Sequence, residues 1–168
     1  PEIGASSSVA PSGYKVDHNR ILLGNGYEIF LKAVEAVKSW KMFDFDWLKL
    51  CWPDTLIVEG ATVGILVQHL GFWSLNACRI VYLIEERGEI ERYGFAYGTL
   101  PAHAERGEER FTVEYHQASG KVWYDLYAFS RPRHALARAG YPVSRLLQRR
   151  FAAESKRAMF KAANQERI

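Results

Sequence analysis

His103, Glu108 and Glu109 lie in one short stretch running from Tyr97 to Phe111, and side chains of these types can together move protons. General acid–base chemistry needs such a group within reach of its proton and with a pKa near the working pH. Adjacent residues on a strand point to opposite faces, so only one of Glu108 and Glu109 can look inward. Arg110, Thr112, Glu114 and His116 share one face, and Glu109, Phe111, Val113 and Tyr115 share the other. The apolar character of the second set marks it as the inner one. Glu109 is therefore expected at the mouth of a cavity and Glu108 outside it. Burial there raises a carboxyl pKa unless a cation stands close. Arg79 is the expected partner, and a structural Arg79–Glu109 pair that locks the loop is favoured over a catalytic one.

Asp125 is the second candidate for proton transfer. It shares a strand face with Trp123, Tyr127 and Phe129, and a carboxylate in such company needs a partner or becomes neutral. Tyr82, Tyr93, Tyr97, Trp123 and Tyr127 form a candidate ligand-lining set whose polar ends could orient a bound group. The plainer alternative is that they are cross-strand pairs of an ordinary sheet. No Ser/His/Asp or Cys/His arrangement is evident. Cys78, between Ala77 and Arg79 in a strand, reads as a small buried hydrophobe. His103, His116 and His134 are scattered rather than set at ligand spacing, so neither a metal nor another cofactor is expected. Gly94 and Gly98 enter no helix and are not a phosphate loop; they permit a bend.

These residues need a scaffold, and the chain supplies one of 168 residues that is 48% hydrophobic and 24% charged, the balance of a globular domain. A single domain over 14–168 is expected, with residues 1–13 a flexible lead-in or cloning remnant. Those first residues lack the basic start and apolar core of a signal peptide, and no apolar run has the length of a membrane span. Two cysteines are too few for a disulfide framework, which suits a cytoplasmic setting. Residues 131–168 carry ten Lys/Arg against Glu154 and Glu166, while the whole chain is only +3, so a basic tail follows an acidic body. Such a tail can contact an anionic lipid surface or nucleic acid, but a charge run is usually a solvated face. Nucleic acid is not the expected partner.

A first strand is expected over Tyr14–Leu23, then a helix capped by Asn25 with Tyr27, Phe30, Val34 and Val37 on its buried face. Met42–Trp52 reads as a second short helical or irregular piece stopped by Pro53. Strands follow at Thr62–Gln68, Leu75–Glu85, Tyr93–Gly98, Arg110–His116 and Lys121–Phe129, with a further candidate at Leu56–Glu59. A long loop is expected after Leu100, and Arg131-Pro132-Arg133 should break the last strand. Tyr141–Ala163 then reads as a long helix with Val143, Leu146, Leu147, Phe151, Ser155, Ala158, Met159 and Ala162 facing inward. Sequential hairpins followed by an amphipathic helix give an α+β fold, a curved antiparallel sheet wrapped around the C-terminal helix with a cavity between them.

This order resembles the helix-grip fold of the START-like superfamily, which includes lipid-transfer domains, plant pollen allergens and aromatic polyketide cyclases. More specific are Phe95-Ala96-Tyr97-Gly98-Thr99-Leu100-Pro101, Gly107-Glu108-Glu109-Arg110-Phe111, Asn76–Tyr82, Val122–Asp125, Ala128–His134, Gly140-Tyr141-Pro142 and Leu147–Phe151. Over roughly residues 14 to 160 these strings are similar to a domain-of-unknown-function family of bacterial and plant proteins. Ala102 and Ala135 depart from it, standing where glycine and proline are expected. The resemblance implies the fold and no particular activity. Binding of a small hydrophobic or amphipathic molecule in the cavity is the leading expectation. The alternatives are a cyclase- or hydratase-like enzyme using a cavity carboxylate, and surface binding through the basic helix.

Overall fold

Strand β1 (Lys15–Asn25) stops where the backbone turns left-handed: Gly26 has φ of +97° and occupies the cap position of helix α1 (Tyr27–Lys38). A side chain is strained at such a φ. Asn25 is thus the last residue of the strand and not the cap of the helix, which has no side-chain cap. The computed structural model describes residues 3–8, 10–69, 71–101, 103, 105–133 and 141–165. Ala102, His134 and Ala135 lie outside the described residues. Helix α1 buries Phe30, Ala33, Val34 and Val37, as its three- and four-residue spacing requires.

The second helix expected between Met42 and Trp52 is not formed. A single 3-10 turn at Lys41–Phe43 is followed by the short strand β2 (Leu48–Leu50), so the described residues hold two α-helices and not three. The cause lies in the alternation of Phe43, Phe45 and Trp47 with Asp44 and Asp46, a period of two that suits extended chain. Phe43 and Phe45 both pack their rings on Phe151. The Leu56–Glu59 segment is irregular, and β2 supplies the sheet's extra strand instead.

The remaining strands are β3 (Thr62–His69), β4 (Phe72–Glu86), β5 (Ile90–Thr99), β6 (Glu105–His116) and β7 (Lys121–Pro132). They form one seven-stranded sheet in the order β1-β7-β6-β5-β4-β3-β2, antiparallel throughout. Strand β6 begins at Glu105, five residues earlier than expected from Arg110, and β7 runs on through Pro132. The loop after Leu100 is correspondingly short. Gly107 explains the misreading: its absent side chain reads as loop, yet a Cβ there would lie 2.0 Å from the Phe129 carbonyl oxygen. Gly94 is equally constrained, with the Phe111 carbonyl oxygen 2.0 Å from the Cβ position. Glycine at both points lets neighbouring backbones close up and the sheet curl.

The sheet curls into a half-barrel around helix α2 (Tyr141–Asn164), which also packs on α1 and the 3-10 turn. The core joins Phe30, Trp40 and Phe43 to Phe95, Phe111 and Tyr124 of the sheet and to Met159 of α2. Ala152, Ser155, Met159 and Ala163 are the buried positions of α2, whereas Val143 and Leu146 are exposed. The expected stripe fails at its start: Val143 borders an open space and not a packed core, and Leu146 lies outside that space, exposed. No described helix is long and apolar enough to cross a membrane.

Candidate functional site

That space is a cavity of about 1030 Å³ between the concave face of the sheet and α2. Phe43, Ile65, Leu126, Leu147 and Phe151 supply much of its apolar wall, and Asp17, Tyr97, His103, Glu105, Glu109 and Gln148 are among its polar positions. Parity along β6 explains the carboxylates: Glu105, Gly107, Glu109 and Phe111 lie on one face and turn inward together.

Glu109 faces the cavity, and the Tyr97 hydroxyl donates to its Oε2 at 2.6 Å. Burial pushes the Glu109 carboxyl up to about 7, against the lowering effect of that hydrogen bond; the negative Glu105 and Asp17 push it further the same way. Burial and the nearby Glu109 also raise the Tyr97 hydroxyl well above its ordinary range. The same two causes raise the Cys78 thiol. Cys78 is therefore an inert wall residue.

A second polar group lies where the β5–β6 connection meets α2. The Glu105 backbone N–H donates to His103 Nδ1 at 3.0 Å, so the neutral ring carries its proton on Nε2. Burial pulls His103 down to about 4, which keeps it neutral at pH 7. Gln148 Nε2 donates to Glu105 Oε2 at 2.6 Å and to Ser130 Oγ at 3.1 Å. Arg145 in turn donates to Gln148 Oε1 at 2.6 Å and clasps Asp17 of β1, with Nη2 to Oδ1 at 2.7 Å. The Arg145 hydrogen bond holds the Asp17 carboxyl below its usual range. This chain of contacts ties α2 to both β1 and β6.

Of the nine residues singled out in the sequence, Glu109, Tyr97 and His103 border the cavity. Arg79 does not meet Glu109. It is exposed on the far face of the sheet, one residue from inward-facing Cys78 and opposite Gly98. Asp125, Trp123 and Tyr127 also stand on the convex face, opposite Thr112, Glu114 and Arg110. There the buried Asp125 carboxylate receives His18 Nε2 at 2.6 Å and Arg110 Nη2 at 3.4 Å. Arg20 stacks over Trp123 at 4.7 Å and Arg110 over Tyr127 at 5.1 Å. Asp125 thus has the partners its burial demands, the Arg110 cation among them, and these aromatics are cross-strand and cation–π pairs. Tyr93 lies beside Lys38 of α1, 5.5 Å from its ring, and away from the cavity.

Tyr82 serves the convex face too. Its hydroxyl bonds Ser6 Oγ at 2.8 Å, within a segment (residues 3–8) that was expected to be part of a flexible lead-in. Glu108 accepts the Gly4 N–H at 2.7 Å and the Ser6 N–H at 2.9 Å, while Arg110 Nη1 donates to the Ser6 carbonyl at 2.9 Å. These contacts bury Glu108 on the face that parity assigned to it. Glu105, Gln148, Asp17 and Arg145 went unnoticed in the sequence. Glu105 had a readable signal, since it shares parity with Glu109 once β6 is extended; the other three had none.

A family model described as a domain of unknown function, DUF1990, matches residues 1–158. A UPF0548 protein of Dictyostelium discoideum is 44% identical over 160 residues, covering 90% of this chain and 74% of that protein. One from Arabidopsis thaliana is 34% identical over 161 residues, covering 94% and 78%. Among solved structures, norcoclaurine synthase from Thalictrum flavum is similar with a TM-score of 0.57 at 10% identity, covering 99% of this chain and 95% of that one. Ara h 8.0201 is similar with a TM-score of 0.50 at 8% identity, covering 89% and 99%. At such identities the likeness is one of fold, a curved antiparallel sheet packed on a long C-terminal helix. The chain belongs to the DUF1990 family, whose relatives in a slime mould, a plant and a bacterium carry the name UPF0548.

Proposed function

We propose that this protein binds a small hydrophobic or amphipathic molecule in the cavity between the sheet and α2. The observation that carries the reading is an apolar-walled space of about 1030 Å³ with the Tyr97–Glu109 pair set into its wall. Ligand sites have this character: roughly 300–1,000 Å³, mostly apolar, with a few placed polar groups. Apolar molecules should enter with a favourable contribution of about 25 cal/mol per Å² of surface buried. Native mass spectrometry of the purified protein, alone and after incubation with extracted lipids and small aromatic compounds, tests it. A retained or added mass lost on Phe151→Asp supports the reading. A cavity that stays empty with every class tried overturns it.

Catalysis is the second reading, favoured by Glu109 being held near neutrality beside an ordered hydroxyl, the condition a general acid or base needs. His103 stands by the same cavity, but Asp125 on the convex face has no access to it. Under this reading Glu109→Gln abolishes turnover of a bound substrate without loss of its affinity. Binding of an anionic surface through α2 has less support. Arg145 is committed to Asp17, Arg150 to Glu154 at 2.8 Å and Lys156 to Asn19 at 3.2 Å.

A further inference from the structure

The cavity carboxyl is half satisfied. Tyr97 occupies Oε2 of Glu109, and Oε1 has no hydrogen-bond partner among the described residues. The titratable groups that act on Glu109, or that it acts on, come from every strand from β4 to β7 and from β1. They are Cys78, Tyr97, Glu105, Tyr124 and Asp17, and all are acids. The 3-10 turn contributes Phe43, and α2 contributes Phe151 and Gln148 nearby. The cations on the lining, Arg149 and Lys156, belong to α2; Lys156 bonds Asn19, Arg149 acts on Asp17, and Arg145 of the same helix clasps Asp17. Neither the turn nor α2 brings a positive charge to Glu109, and the charges that act on it are negative.

Three kinds of ligand head group can be weighed against this arrangement. A carboxylate or phosphate entering beside Glu109 loses its hydration and meets the negative Glu105 and Asp17 with no cation acting on that carboxyl. A hydroxyl can bond Oε1 but compensates none of the negative potential. An ammonium does both, and a charge-assisted hydrogen bond is about twice as strong as a neutral one. We propose that the cavity is selective for a molecule with a protonated amine, held at Glu109 Oε1, and an apolar body lying along Leu126, Leu147 and Phe151. This rests on the cavity-binding reading above and names its ligand class. Without ligand the carboxyl is mostly protonated at pH 6, since burial holds it at about 7. An ammonium ion arriving there displaces the carboxyl proton to the solvent and leaves a carboxylate–ammonium pair, so charge and protons balance.

The test is isothermal titration calorimetry at pH 8 and pH 6 with n-octylamine, octan-1-ol and octanoate, each in two buffers of different ionisation enthalpy. At pH 8, where the carboxyl is mostly ionised, octylamine should bind about tenfold more tightly than octanol, the difference of about 1.4 kcal/mol that a charge-assisted bond supplies. At pH 6 octylamine should release close to one proton and octanol none, and displacing that proton should weaken octylamine about tenfold. Glu109→Gln, checked for folding by circular dichroism, should bring octylamine to the affinity of octanol and abolish the proton release. The proton count on the wild-type protein stands whether or not the variant folds. Octanol or octanoate binding as tightly as octylamine at pH 8, or octylamine binding at pH 6 with no proton release, overturns the amine preference and leaves the cavity reading intact. Failure of all three to bind overturns the cavity reading as well.

Discussion

Two buried groups in this cavity should oppose each other in the pH dependence of stability, and removing either should expose the other. Glu109 has a native pKa of about 7 against 4.5 for the free group, so between those values the native state holds a proton that the unfolded chain has lost. Its contribution is fully present below pH 4.5 and is lost as pH rises toward 7. His103 has a native pKa of about 4 against 6.5, so across that interval the unfolded chain holds the extra proton. Its contribution is present above pH 6.5 and is lost as pH falls toward 4. Each group alone tilts stability by about 1.4 kcal/mol per pH unit, one downward and one upward. Over the shared window their sum is near zero. Each shift corresponds to an upper bound of about 3 kcal/mol. Urea denaturation at intervals from pH 5 to 6.5 avoids the range where Asp17, Glu114 and Glu154, all held below their usual values, titrate. The wild-type protein should be nearly flat, Glu109→Gln should gain stability with rising pH, and His103→Asn should lose it. Parallel profiles for all three would show that Glu109 and His103 ionise as they do in water, and the electrostatic account of the cavity would be wrong.

Tyr97→Phe removes the hydrogen bond that opposes burial at Glu109, so the Glu109 midpoint, followed by carboxyl NMR, should rise further, at a stability cost of about 1 kcal/mol. Gly107→Ala forces a methyl group onto the Phe129 carbonyl and should cost about 3 kcal/mol or more in chemical denaturation. Gly98→Ala is its control, since its nearest neighbour is Val81 Cγ1 at an ordinary 3.4 Å, and should stay within about 1 kcal/mol of wild type. Glu108→Ala removes the acceptor of the Gly4 and Ser6 N–H groups. Hydrogen exchange at those two amides should accelerate at least about tenfold while the amides of β5 and β6 keep their protection.

The sheet and its enclosed helix were legible because they rest on local periodicity: alternation in the strands and three- and four-residue spacing in α1. Parity was also enough to turn Glu109 inward and Glu108 outward. What failed depended on partners distant in sequence. A cation on a neighbouring strand invites pairing of Arg79 with Glu109, but strand parity with inward-facing Cys78 puts Arg79 on the opposite face. Asp125 looked like a site residue because its partners, His18 and Arg110, lie on other strands. Residues 3–8 look featureless because what orders them is Glu108, more than a hundred residues away. Composition gives no sign of a segment ordered by a remote carboxylate.

The register Lys15↔Ser130 puts the first strand of the sheet beside the last. Strands β3 to β7 can zip up through hairpins, each closing a short loop, but β1 must wait until β7 exists, and α2, which packs against β1, waits too. Closing so long a loop carries a large entropic cost before any contact rewards it, and folds dominated by such pairings are slow. The meander rests on local pairings and the grip on distant ones, and the enclosed cavity depends on β1 and α2 together.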